Sequence, residues 1–227
     1  MGLAPIVLMV IIMGASWFVG WKFKKRFEEY SQIPLQSGMT GEDIAKKMLA
    51  DHGINDVKVI SVEGQLTDHY NPADRTVNLS PDVFHGRSIA AAAVSAHECG
   101  HAVQHAKAYA WLQLRSSMVP ALSITSRYMQ WILLGGILLL STFPYLLLAG
   151  IILFALTTLF SFVTLPVEFD ASNRALAWLD SSGITRSGEH ETAKNALWWA
   201  AMTYVVAALA SLATLLYYVS IFMGRRD

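Results

Sequence analysis

The segment His97-Glu98-Cys99-Gly100-His101 sets two imidazoles four residues apart, with a carboxylate directly after the first. Positions four apart share a helix face, so both rings can reach one ion while Glu98 sits beside the open coordination position. Imidazole nitrogen suits zinc, and a catalytic zinc takes three protein ligands plus a water whose pKa it lowers to about 7. Glu98 is then the group that accepts the water's proton and returns it to a leaving amine. The plain alternative is a polar helix face that happens to carry two histidines and a glutamate. It is hard to sustain in so apolar a helix, where unpaired polar groups are costly.

Cys99 lies two positions from His97, about 200° round a helix, and is expected to point away from the ion as a packed thiol. His105 continues the four-residue ladder. It stands about 12 Å along the axis from His97, too far for both to hold one ion at about 2 Å. The third ligand must come from elsewhere, and Glu168, just past Leu165-Pro166, is the candidate. A helix starting after Pro166 would bring Glu168 and Ser172 onto one face and leave Asp170 off it. The bland reading of Glu168 and Asp170 is that acidic residues favour a helix N-terminus.

These side chains need elements to hold them. The Ala-rich run from Ser88 to Tyr109 has strong helix formers, no proline and Gly100 as its only glycine. Upstream, Thr40 and Asp43 read as an N-cap pair, Ile44, Met48 and Leu49 give one apolar face, and Gly53 ends the helix. Val57 to Val62 alternates as a strand does. Two further β-like runs flank the turn signal Asn71-Pro72-Ala73-Asp74, the second from Arg75 to Ser80.

The rest of the chain suits a bilayer. Of 227 residues 54% are hydrophobic and 15% charged, with a mean hydropathy of +0.39. Leu3 to Trp21 carries no charge, and Lys22, Lys24, Lys25 and Arg26 follow it, which predicts a retained anchor rather than a signal peptide. Tyr128 to Thr142 and Tyr145 to Leu165 form a hairpin about Phe143-Pro144, the first being short unless it begins near Val119. Ala196 to Met223 is long enough to span with some tilt. Four membrane helices are therefore expected. A formal charge of zero gives no basic excess for a nucleic-acid partner, and a lone cysteine excludes an intramolecular disulfide.

Of the 17 basic residues, twelve lie between Lys22 and Arg127 and three more, Arg174, Arg186 and Lys194, between the third and fourth spans. Basic loops stay on the cytoplasmic side, so both stretches are expected there, with Arg225 and Arg226 outside against the rule. The expected organisation is an anchor (1–22), an α/β part with the histidine helix (23–117), a membrane hairpin (118–165), a third-ligand helix and loop (166–195) and a last membrane helix (196–227).

Asp68-His69-Tyr70-Asn71-Pro72, Arg75 to Pro81, Gly86 to Ala90, His97 to Gln104 and Leu165 to Ser172 together resemble the YugP-type neutral zinc metallopeptidase family of bacteria. The likeness covers nearly the whole chain. More distantly, the paired histidines followed after a membrane hairpin by Glu-Phe-x-Ala are similar to membrane peptidases of the Ste24 and HtpX type. The resemblance implies a membrane α-helical protein with a small α/β, zincin-like catalytic part. It implies one Zn2+ per chain on His97, His101 and Glu168, and hydrolysis of peptide bonds with Glu98 as general base.

A strand pairing with the substrate backbone is also implied, for which Thr76 to Ser80 is the candidate. So is an oxyanion-stabilising group, for which Arg174, His105 or Tyr70 qualifies. Where the distant group has aspartate four residues after the glutamate, this chain has Ser172, leaving Asp170 or Ser172 to support a ring. The expected partners are the bilayer and a protein or peptide substrate, itself membrane-associated. The expected location is a bacterial plasma membrane, multi-pass, with the site on the cytoplasmic side. No signal for oligomeric state is present.

Three rivals make different demands. A zinc-binding membrane scaffold or adaptor that cleaves nothing needs no general base, so Glu98 counts against it. A transporter is expected to place ionisable residues inside its spans, and the first three carry none. Intramembrane cleavage needs an acidic ligand within a later span, whereas Glu168 follows the third.

Overall fold

The computed structural model describes residues 3–224, so Arg225 and Arg226 lie outside it. Its helices begin where local chemistry directs. After α1 (Leu3–Ser31), α2 (Gly41–Asp51) opens on a reciprocal cap. The Thr40 hydroxyl accepts from the Asp43 amide at 3.1 Å, and the Asp43 carboxylate accepts from the Thr40 amide at 3.0 Å. Its apolar face, Ile44, Ala45, Met48 and Leu49, is buried.

Three short strands follow: β1 (Lys58–Ser61), β2 (His69–Asn71) and β3 (Thr76–Leu79). The sheet order is β1-β3-β2, with β1 parallel and β2 antiparallel to β3. The expectation that Thr76 to Ser80 offers an edge to substrate is therefore wrong: β3 is the central strand, paired on both sides. Burial explains its position, since Val77 and Leu79 are fully enclosed while most of β1 is exposed. The edge strand against the histidine helix is β2.

A single turn, α3 (Pro81–Phe84), leads to α4 (Ile89–Ala106), α5 (Ala110–Leu138), α6 (Pro144–Ser181) and α7 (Ser187–Met223). Among the described residues three helices, against the four expected, are long and apolar enough to cross a membrane: Val7–Ser31, Pro144–Ser181 and Ser187–Met223. The remaining long helix, α5, holds Arg127 and Gln130 in the middle of its apolar stretch and Arg115 near its start.

The helix expected to begin after Pro166 is instead the continuation of α6. Proline denies the Phe162 carbonyl its helical partner without ending the helix. Val167, Ala171, Ala175 and Leu179 then form one fully buried stripe, with Glu168 and Ser172 beside it.

The chain forms two compact units. One comprises Gly20–Gln113 and Pro166–Met202 and has a core built on Ile44, Met48, Val77, Leu79, Ile89, Val103 and Leu179. The other comprises Met1–Val19, Leu114–Leu165 and Thr203–Asp227; in it Leu133, Leu147 and Ile151 pack with Phe154 and Tyr218, and Thr158 meets Ser211 at 2.8 Å. All the candidate site residues belong to the first.

Candidate metal centre

Helix α4 starts at Ser88, whose hydroxyl accepts from the Ala91 amide at 3.1 Å. Two turns later His97 and His101 sit on one face, ring centroids 4.8 Å apart and nearly perpendicular. Glu168 comes to them from α6: its Oε2 lies 3.3 Å from His97 Nε2 and 3.6 Å from His101 Nε2. One ligand atom from each of the three falls within 4.8 Å of the others.

The two carboxylate–imidazole separations fit zinc. Bonds of about 2.0–2.2 Å in a tetrahedral arrangement put neighbouring donor atoms roughly 3.3–3.6 Å apart. The donors are nearly enclosed, with side-chain exposures of 13% for His97, 10% for His101 and 3% for Glu168, so a cation placed among them would be shielded from solvent.

The field at the site is negative. Burial opposes a charged ring at His101, but the hydrogen bond and charge of Glu168, with the charge of Glu98, outweigh it and hold that imidazole above its ordinary value. Glu98, itself buried, is thus close enough to His101 to act on it.

The other ring nitrogens have partners too. His97 Nδ1 lies 3.1 Å from Ser172 Oγ, and His101 Nδ1 lies 3.0 Å from Gln104 Oε1. Of the two residues the sequence left open, Ser172 supports a ring directly. Asp170 is bonded to Gln104 and Arg174. Gln104 closes the run His97 to Gln104, but nothing in that run singles out its amide.

Cys99 points away, as its angular offset implies. Its Sγ lies 3.6 Å from the Ala45 carbonyl, and burial, with Glu98 beside it, pushes the thiol pKa up. His105 is outside the cluster and pairs with the Tyr70 hydroxyl at 2.7 Å. Arg174 is engaged with Asp170 at 2.6 Å and lies over the Tyr109 ring at 5.7 Å.

Gly100 sets how closely α6 approaches. A Cβ there would stand 2.5 Å from the Ala171 carbonyl oxygen and 3.1 Å from the Ala171 Cα, both backbone atoms that cannot step aside. Gly100→Ala should therefore push Glu168 off the two rings, lowering stability by about 1–3 kcal/mol through overpacking. Zinc affinity should fall with it, read by chelator competition. An unchanged affinity would mean that the approach at Gly100 does not set the ligand spacing.

A family model described as "Putative neutral zinc metallopeptidase" matches residues 5–223. A relative named "Putative membrane protease YugP", from Bacillus subtilis (strain 168), is 44% identical over 222 residues, covering 98% of this chain and 98% of the relative. No solved structure matches the chain.

Proposed function

We propose, for a chain that belongs to the neutral zinc metallopeptidase family, that it hydrolyses peptide bonds in membrane or membrane-associated proteins at one zinc held by His97, His101 and Glu168. The observation that carries this is the single Glu168 oxygen facing both Nε2 atoms at 3.3 and 3.6 Å. A zinc ion on these donors would supply Lewis acidity to the scissile carbonyl and acidify the attacking water. Glu98 takes the proton released by that water and hands it to the leaving nitrogen. Among the three candidates for steadying the developing oxyanion, Arg174 is occupied by Asp170. The joined Tyr70 hydroxyl and His105 ring remain, about 6 Å along α4 from His101. Burial pushes the Tyr70 phenol pKa up, which keeps it a neutral donor.

The substrate backbone is assigned to β2. The Lys58 amide bonds the Arg75 carbonyl, so odd-numbered residues of β3 face β1 and even-numbered ones face β2. His69 and Asn71 therefore pair with β3, and the N–H and C=O of Tyr70 face the free edge, where an extended peptide can add as a strand.

For this site, the cytoplasmic side of a bacterial plasma membrane is the reading that the basic residues support, since Lys22 to Arg127 and Arg174, Arg186 and Lys194 share a side when α5 crosses together with α6 as a hairpin. Purified protein stripped with a chelator should lose cleavage of a membrane-protein substrate in detergent and regain it with about one zinc per chain. Cleavage that survives complete removal of metal would refute the proposal.

A further inference from the structure

Gln104 is fully buried, and both ends of its amide are engaged. Its Nε2 donates to the Val167 carbonyl at 2.8 Å and to Asp170 Oδ2 at 2.8 Å. A carbonyl and an ionised carboxylate only accept, so the nitrogen end must face α6 and the oxygen end must face α4. Gln104 Oε1 lies 3.0 Å from His101 Nδ1, and that ring nitrogen must carry the hydrogen. In the neutral ring, the form that can hold an ion, Nε2 is then the nitrogen that carries the lone pair.

The far end of this chain of bonds is also held. Asp170 is gripped by Arg174 through Nε at 2.6 Å and Nη2 at 3.3 Å, and the guanidinium lies over the Tyr109 ring. The Tyr109 amide returns to the Gln104 carbonyl at 2.9 Å. His97 is treated differently. Its Nδ1 meets the Ser172 hydroxyl, which both donates and accepts, so this contact selects no tautomer.

We propose that Gln104 and Asp170 are positioning residues that lock His101 in its Nδ1–H form and hold its ring in place, with Arg174 and Tyr109 anchoring Asp170. The proposal rests on the reading of His101 as a zinc ligand. A neutral amide between ring and carboxylate fixes orientation without delivering a second full charge to the imidazole. Partners of this kind typically matter about 10–100-fold in metal affinity.

The test is zinc affinity of the full chain in detergent, measured against a chromophoric chelator. Gln104→Met keeps the length and removes the acceptor, and should bind zinc about 10–100-fold more weakly. Asp170→Asn should weaken binding in the same direction, although that side chain touches neither ring. The visible spectrum of the cobalt-substituted protein should follow the same order, because it reports ligand geometry rather than stability.

Wild-type affinity in Gln104→Met would overturn the proposal. Should Gln104→Met fail to fold, unchanged affinity in Asp170→Asn would overturn it equally. A wild type that takes no zinc at all would instead refute the metal-site reading, and this inference with it.

Discussion

Glu98→Gln should retain zinc and lose hydrolysis by roughly 10²–10⁴-fold, the usual contribution of a general base. The substitution is nearly isosteric and leaves His97, His101 and Glu168 untouched, so the donor spacing of 3.3 and 3.6 Å stays as it is. What disappears is the only proposed group able to take the water's proton. One negative charge also leaves the neighbourhood of His101, where Glu98 helps to raise the ring's pKa, so metal affinity should drop only modestly. Paired measurements of zinc content and cleavage of the same substrate separate these effects. A variant that holds zinc and cleaves at the wild-type rate would leave Glu98 without a catalytic role, and a zinc-binding scaffold would become the better description.

Glu168→Ala should fail in the opposite way, losing the metal first and activity as a consequence. Partners that merely support a ligand are worth about 10–100-fold in affinity, so removing a donor should exceed about a hundredfold. The fold should survive, because the packing of this part of α6 rests on Val167, Ala171, Ala175 and Leu179 and not on the carboxylate. Without zinc the variant should lose some stability, because His97 and His101 are then enclosed without the carboxylate that pairs with them. Chelator competition and thermal unfolding of the metal-free protein measure the two halves. Unaltered zinc affinity would remove Glu168 from the site.

What could be read ahead of the structure was what depends on neighbours in sequence. The Thr40–Asp43 cap, the helix after Ser88 and the outward turn of Cys99 all follow from spacing within one or two turns, and all appear in the structure. The shared face of His97 and His101 is of the same kind. Glu168 could be nominated because an acidic residue stood just past an apolar run, but its distance to the rings is set by Gly100 meeting Ala171.

The misreadings share a cause. Strand order depends on which strand is buried from both sides, and nothing in Arg75 to Ser80 reveals that Val57 to Val62 will pair parallel to it across an intervening β2. Pro166 reads as a helix boundary and is in fact traversed. Gln104 has no local signature; it acquires meaning from Val167 and Asp170, more than sixty residues away on another helix. The span count turned on α5, whose Arg127 and Gln130 interrupt an otherwise apolar stretch.

The central claim is the donor set, and zinc-edge X-ray absorption of the purified wild-type chain reads it most directly. The account predicts one zinc per chain with two imidazole nitrogens and oxygen donors at about 2.0–2.2 Å and no sulfur. A scatterer at about 2.3 Å, which only a thiolate such as Cys99 could supply, or a shell lacking paired imidazoles, would contradict it.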